Sequence, residues 1–200
     1  MKFVIAVCLS VMLAACGLNR TSEPSRFYAL GNPSVQQVRG PIVPINIVIE
    51  NVSVPQSVDR PQIVVKKSDS NMLIVSEFDR WIEELTNALP VVISENMNMY
   101  AKNINARPKR NSYQTGNTKY IVSIDFVKFD TESDGKITLS AWWTVSNNRG
   151  DVLVQKKTTQ TTDTPDMESG QPNYDAIVSA QSKLVAKLSY KIADVIAELR

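Results

Sequence analysis

Three long segments in the second half of the chain set the tightest limit on its fold: residues 120–130, 136–147 and 151–162. The joins between them, Thr131-Glu132-Ser133-Asp134-Gly135 and Asn147-Asn148-Arg149-Gly150, carry the Asn, Asp, Ser and Gly that tight turns favour. In the middle segment Ile137, Leu139, Ala141, Trp143 and Val145 fall on one side of a strand. Thr138, Ser140, Trp142, Thr144 and Ser146 fall on the other. This pattern predicts three antiparallel strands with one apolar face, and that face needs a covering layer. Trp142 stands alone on the polar face. It is either a contact residue or is covered by a loop or the final helix.

Two amphipathic stretches supply the cover. Asn173 is placed to cap a final helix with an apolar stripe through Ile177, Leu184, Val185, Leu188, Ile192 and Ile196. Asp175, Ser182, Lys183 and Lys191 fall mostly outside that stripe. A stripe of this kind can also lie on a membrane, but the mixed charge of its polar face favours core packing. Earlier, Ser76-Glu77-Phe78-Asp79 reads as a capping box that opens a helix. Phe78, Trp81, Ile82, Leu85, Leu89, Val92, Ile93, Asn96, Met97 and Tyr100 follow at helical spacing. Pro90 predicts a kink or a break near Leu89.

Ahead of that helix, residues 42–54, 62–66 and 72–75 read as strands, with Ser68-Asp69-Ser70-Asn71 as a hairpin loop. Phe27-Tyr28-Ala29-Leu30 is a further short strand candidate, and residues 31–41 read as loop. Residues 102–119 read as a basic, turn-rich loop and residues 163–173 as an acidic one. The order β-β-β-α-β-β-β-α gives an α+β, two-layer domain, a mainly antiparallel sheet with two helical segments on one face.

The N-terminus carries a different signal. Lys2 precedes a short uncharged apolar run, residues 3–13, and then Leu13-Ala14-Ala15-Cys16. This is the layout of an export signal, and it falls short of the roughly 20 apolar residues of a membrane-spanning helix. Leu-Ala-Ala-Cys resembles the bacterial lipobox, in which the signal is cut before the cysteine and the cysteine takes fatty-acyl chains. Cutting after Ala15 without lipidation is the alternative. Gly17, in place of the aspartate that marks inner-membrane retention, favours the periplasmic face of the outer membrane. Residues 1–15 are then the signal, 16–25 the lipidated terminus and a flexible leash, and 26–200 a single periplasmic domain.

Composition limits the chemistry. The 22 Lys and Arg against 20 Asp and Glu give no general reason to expect nucleic acid. There is no histidine, and the two cysteines are Cys8, inside the signal, and Cys16. Ser-His, Cys-His and the usual zinc sites are therefore unavailable, and no metal or cofactor is expected. The chain reads as a non-enzyme. A carboxylate-only enzyme such as a glycosidase is the competing class and requires two carboxylates in a deep cleft.

Two charged features are candidate contacts. In Asp59-Arg60-Pro61 the proline holds Arg60 extended. Asp59 and Arg60 either form a turn with a weak surface ion pair or take part in subunit contacts. Arg107 and Arg110 in the basic segment, and Asp166 and Glu168 in the acidic one, either meet across a head-to-tail subunit contact or are simply solvated.

Several of these residues together resemble a known family. They are Phe27-Tyr28-Ala29-Leu30, then Pro55-Gln56-Ser57-Val58-Asp59-Arg60-Pro61-Gln62-Ile63-Val64, and then Asn71-Met72-Leu73. Glu77-Phe78-Asp79-Arg80-Trp81, Leu85, Asp125, Leu139, Ala141, Trp142 and Gly150 complete the pattern. It is similar to that of the ABC-type transport auxiliary lipoproteins of the paraquat-inducible protein C group. One departure is Ile82-Glu83-Glu84, where the family carries a small residue and often a proline; here the proline comes later, at Pro90. The resemblance implies a docking or tethering subunit, a homo-oligomeric ring held in the outer membrane by its lipid. It implies as partner the periplasm-spanning MCE-domain protein of an intermembrane lipid transport system. The alternative is a monomeric periplasmic lipid carrier or envelope-assembly lipoprotein.

Overall fold

The computed structural model describes residues 23–33, 44–109, 117–164 and 172–199. The three long segments form β6 (Tyr120–Thr131), β7 (Lys136–Asn147) and β8 (Val152–Asp163), which pair antiparallel in sequence order. Gly135 and Gly150 sit in the two turns at φ of 93° and 89°, a region costly for any side chain. On the far side of β6, β2 (Ile45–Ser53) runs parallel to it, and β5 (Ile104–Pro108) runs parallel to β2. The five-stranded order is β5-β2-β6-β7-β8. Its longest ladders are antiparallel. The parallel end depends on crossovers, and helix α1 (Leu85–Tyr100) lies in the one from β2 to β5.

One face of this sheet is the core. Ile47, Ile49, Val122, Ile137, Leu139 and Val145 are fully buried. Helix α1 packs on β2 and β5, and α2 (Tyr174–Glu198) packs on β7, β8 and α1. The Asn173 side chain accepts from Ala176 N–H at 3.1 Å, the expected cap of α2. The α+β class and the strand-then-helix order of each half stand as the sequence implies.

A second, three-stranded sheet has the order β1-β4-β3. Its strands are β1 (Arg26–Tyr28), β3 (Gln62–Lys66) and β4 (Leu73–Trp81). β3 and β4 pair antiparallel, while β1 runs parallel to the last residues of β4.

Four local expectations need correction. Ser76-Glu77-Phe78-Asp79 does not open a helix, because β4 continues to Trp81 and α1 begins at Leu85. The local hydrogen bond of the capping signature does form, with Asp79 N–H donating to Ser76 Oγ at 2.8 Å. It closes a bulge instead: the β3–β4 register jumps between Gln62 opposite Arg80 and Val64 opposite Val75. The basic segment 102–119 is not wholly loop, since β5 pairs with β2 there. Pro90 lies inside α1 without breaking it into two helices. Because α1 starts late, Pro90 sits in its second turn and removes a single hydrogen-bond donor. Ser182, placed outside the α2 stripe by sequence, is buried, donates to Val178 O and accepts from Gly31 N–H.

Candidate docking surface

The outer face of the long sheet is the surface the helices leave free. Pleating directs Trp142 to this side, and it is 45% exposed. Its Cα lies opposite Asp125 on β6 and Lys157 on β8. Lys157 Nζ sits 5.7 Å from the indole centroid, within cation–π range. Asp125 accepts a hydrogen bond from Ser53 Oγ across the β2–β6 pair. Asn51, Ser123, Thr144 and Gln155 complete a shallow depression of about 490 Å³. Among the described residues neither a loop nor α2 covers Trp142. The face is open, where a small-molecule pocket would enclose most of its ligand. An open, largely polar sheet face with an exposed aromatic and the lysines Lys128, Lys136 and Lys157 is suited to contact with another protein surface.

The other candidate residues do not join Trp142. Asp59 works at the N-terminus of α1, where its Oδ1 accepts from Thr86 N–H at 3.4 Å and from Thr86 Oγ1 at 3.3 Å. The Glu84 side chain makes no cap bond, so the carboxylate that faces the helix dipole comes from the β2–β3 connection. Arg60 is exposed and donates from Nε to Gln62 Oε1 at 3.3 Å. Arg107 lies on the edge strand β5, opposite Val48, and is half-buried. Cys16, Arg110, Asp166 and Glu168 lie outside the described residues, as do the expected signal and most of the expected leash.

Sequence reasoning missed a cluster around Asp79, which is 2% exposed. Arg26 donates to both its oxygens, Nε to Oδ1 at 2.7 Å and Nη2 to Oδ2 at 3.0 Å. Tyr28 Oη donates to Oδ1 at 3.0 Å and Ser76 Oγ to Oδ2 at 2.9 Å. Burial pushes the Asp79 carboxyl up, but the donors Arg26, Ser76 and Tyr28 outweigh it and hold the group below its ordinary value. The bond to Asp79 raises Arg26 in turn, and burial followed by that carboxylate raises Tyr28. Tyr174 of α2 packs beside Tyr28, with ring centroids 6.4 Å apart. The cluster clamps β1, the first described strand, onto β4 and α2. The Ser-x-x-Asp spacing was a visible signal, but nothing local pairs Asp79 with Arg26, 53 residues earlier.

A second exposed apolar region is the β3–β4 hairpin, where Met72, Leu73, Ile74 and Val75 all face solvent. Among the described residues no group of three or more His, Cys, Asp or Glu is placed to hold a metal. No helix there is long and apolar enough to cross a membrane.

Two solved structures are similar in fold. One, described as an uncharacterized protein, is 16% identical with a TM-score of 0.68, and the match covers 87% of this chain and 99% of that one. The other, from Xanthomonas campestris, is 15% identical with a TM-score of 0.64, covering 87% and 97%. No curated protein matches the chain. The family model described as the ABC-type transport auxiliary lipoprotein component matches residues 28–193.

Proposed function

This chain belongs to the family of ABC-type transport auxiliary lipoprotein components, and on that premise we propose that it is a docking subunit rather than an enzyme. In this reading Cys16 carries the acyl chains that hold it at the periplasmic face of the outer membrane. Copies of the domain associate into a ring, and the ring receives an MCE-domain protein that spans the periplasm and conveys lipid. The Leu13-Ala14-Ala15-Cys16 motif and Gly17 support the anchor. The MCE partner is what the sequence resemblance implies.

The observation that carries the reading is the outer face around Trp142. It is a broad sheet surface free of the helices, with a large aromatic exposed at its centre and polar groups around it. Aromatic residues of this kind supply much of the energy of protein contacts. The inner face argues against the lipid-carrier alternative. Phe126, Phe129, Trp143, Ile93 and Met97 are at most 2% exposed, so sheet and helices fill the space a carrier would need for an acyl chain.

Native mass spectrometry of the detergent-extracted lipidated chain, with and without a co-expressed MCE protein, tests the proposal. A homo-oligomer that gains mass with the MCE protein is expected. A strict monomer that captures no MCE protein but retains stoichiometric lipid would favour the carrier.

A further inference from the structure

Four consecutive apolar residues at the hairpin end of β4 pair with β3 through their backbone but leave a large share of their side chains in solvent. Met72, Leu73, Ile74 and Val75 are 50%, 47%, 37% and 42% exposed, so neither side of the strand is buried there. β3 hydrogen-bonds to one edge of this stretch, while β1 covers the other edge only from Asp79 to Trp81. Exposed apolar patches of this kind mark contacts with proteins or membranes.

The direction of β1 favours the membrane. β1 runs parallel to β4, with Arg26 opposite Asp79 and Tyr28 opposite Trp81. The chain that precedes Arg26 therefore leaves toward the low-numbered end of β4, which is the hairpin tip. The Arg26–Asp79 clamp fixes this exit point. From Asp79 back to Met72 a strand covers about 23 Å. The ten residues from Cys16 to Arg26 reach about 33 Å when extended. A lipid on Cys16 can thus lie beyond the tip, on the side where the apolar residues are exposed.

We propose that residues 72–75 are a second membrane contact, inserted at the headgroup level of the bilayer that holds the Cys16 acyl chains. The contact fixes which end of the domain faces that bilayer. It rests on the lipidation of Cys16 stated above. Lys66 and Lys67 beside the tip can extend toward lipid phosphates, while Asp69, Glu132 and Asp134 are also near. The local charge is mixed, so apolar insertion drives the contact.

The mature chain has no cysteine besides Cys16, so Leu73→Cys in the full lipidated protein provides a single free thiol. An environment-sensitive fluorophore at that thiol is read in vesicles of phosphatidylethanolamine and phosphatidylglycerol containing a headgroup-level quencher lipid. The reference is the same label at Arg149→Cys, in the β7–β8 turn at the opposite end of the long strands from the β6–β7 turn that touches the hairpin. A blue-shifted label at 73, quenched several-fold more than at 149, is expected. Vesicle-bound protein with an unquenched label at 73 overturns the contact and leaves the anchor intact. A blue shift without lipid quenching, together with disulfide formation between unlabelled Leu73→Cys copies, assigns the patch to a second copy instead. Protein that does not float with vesicles overturns both the anchor and the contact.

Discussion

Trp142 and Trp143 are adjacent on β7, and they belong to opposite faces of the long sheet. Trp143 is 1% exposed, and its Nε1–H donates to Thr158 Oγ1 at 3.0 Å beneath the helices. Trp142 is 45% exposed, with the Lys157 ammonium over its ring. A strand's period of two produces this division without any change of residue type. The inner face supplies cohesion, and under the proposed function the outer face serves recognition. The two faces should therefore fail in different ways when mutated.

The largest expected effect is on the inner face. Trp143→Ala removes a buried indole and leaves a cavity, a loss of about 3–5 kcal/mol. Thermal unfolding followed by circular dichroism should show a melting temperature lower by roughly 10 °C or more. Assembly should be lost with the fold. If Trp143→Ala melts like the parent, the inner face does not hold the domain together.

The clamp on β1 comes next. Asp79→Asn keeps the shape but removes the charge that Arg26, Tyr28 and Ser76 address, and it should cost about 2 kcal/mol. The Asp79 carboxyl lies below its ordinary value in the folded chain. Its contribution is therefore complete above the unfolded carboxyl value near pH 4 and is lost as pH falls through the folded one. The gap in melting temperature between parent and variant should be wide at pH 7 and shrink as pH falls below about 4. A gap that does not change with pH would mean that the ion pair is not its source.

Asn96 should move stability the other way. It is fully buried on α1, and among the described residues neither its Oδ1 nor its Nδ2 has a hydrogen-bond partner. Asn96→Leu removes that cost and should stabilise the fold by about 1 kcal/mol. Denaturant titration would show the midpoint rising, whereas a fall would point to a bound water that satisfies the amide.

Trp142→Ala should have the smallest effect on stability, within about 1 kcal/mol, because half the side chain is already in water. Under the proposed reading it weakens association instead, visible as a shift toward smaller species in native mass spectrometry. A lower melting temperature with an unchanged oligomer would place Trp142 with Trp143 as a structural residue and remove the contrast between the faces.

The parts of the fold legible in sequence are those with strong local periodicity. The alternation through 136–147 assigned both faces of β7 correctly, and Asn173 marked the start of α2. What sequence could not supply were partners distant along the chain. β5 is short, with only Ile104 and Ala106 alternating inward, too weak a pattern to read from sequence, and it forms because β2 offers an edge. Ser76 and Asp79 bonded as a capping signature does, but β3 on one side and β1 on the other held the backbone extended. Asp59 looked like a surface charge because Thr86, its helix partner, lies 27 residues away. For the candidate surface, the pleat placed Trp142 on the polar face, but that it stays uncovered, the Lys157 contact and the depression beside it depended on packing and strand register.

The most direct test of the docking face is a photo-crosslink from its centre. Trp142 is replaced by p-benzoylphenylalanine in the full lipidated chain, cells are illuminated, and adducts are identified by mass. A docking face that joins copies of this chain gives a covalent dimer crosslinked from position 142 in the outer-membrane fraction. Illumination that leaves only uncrosslinked chain, while native mass spectrometry shows the same protein as an intact oligomer, would contradict the assignment of this face to assembly.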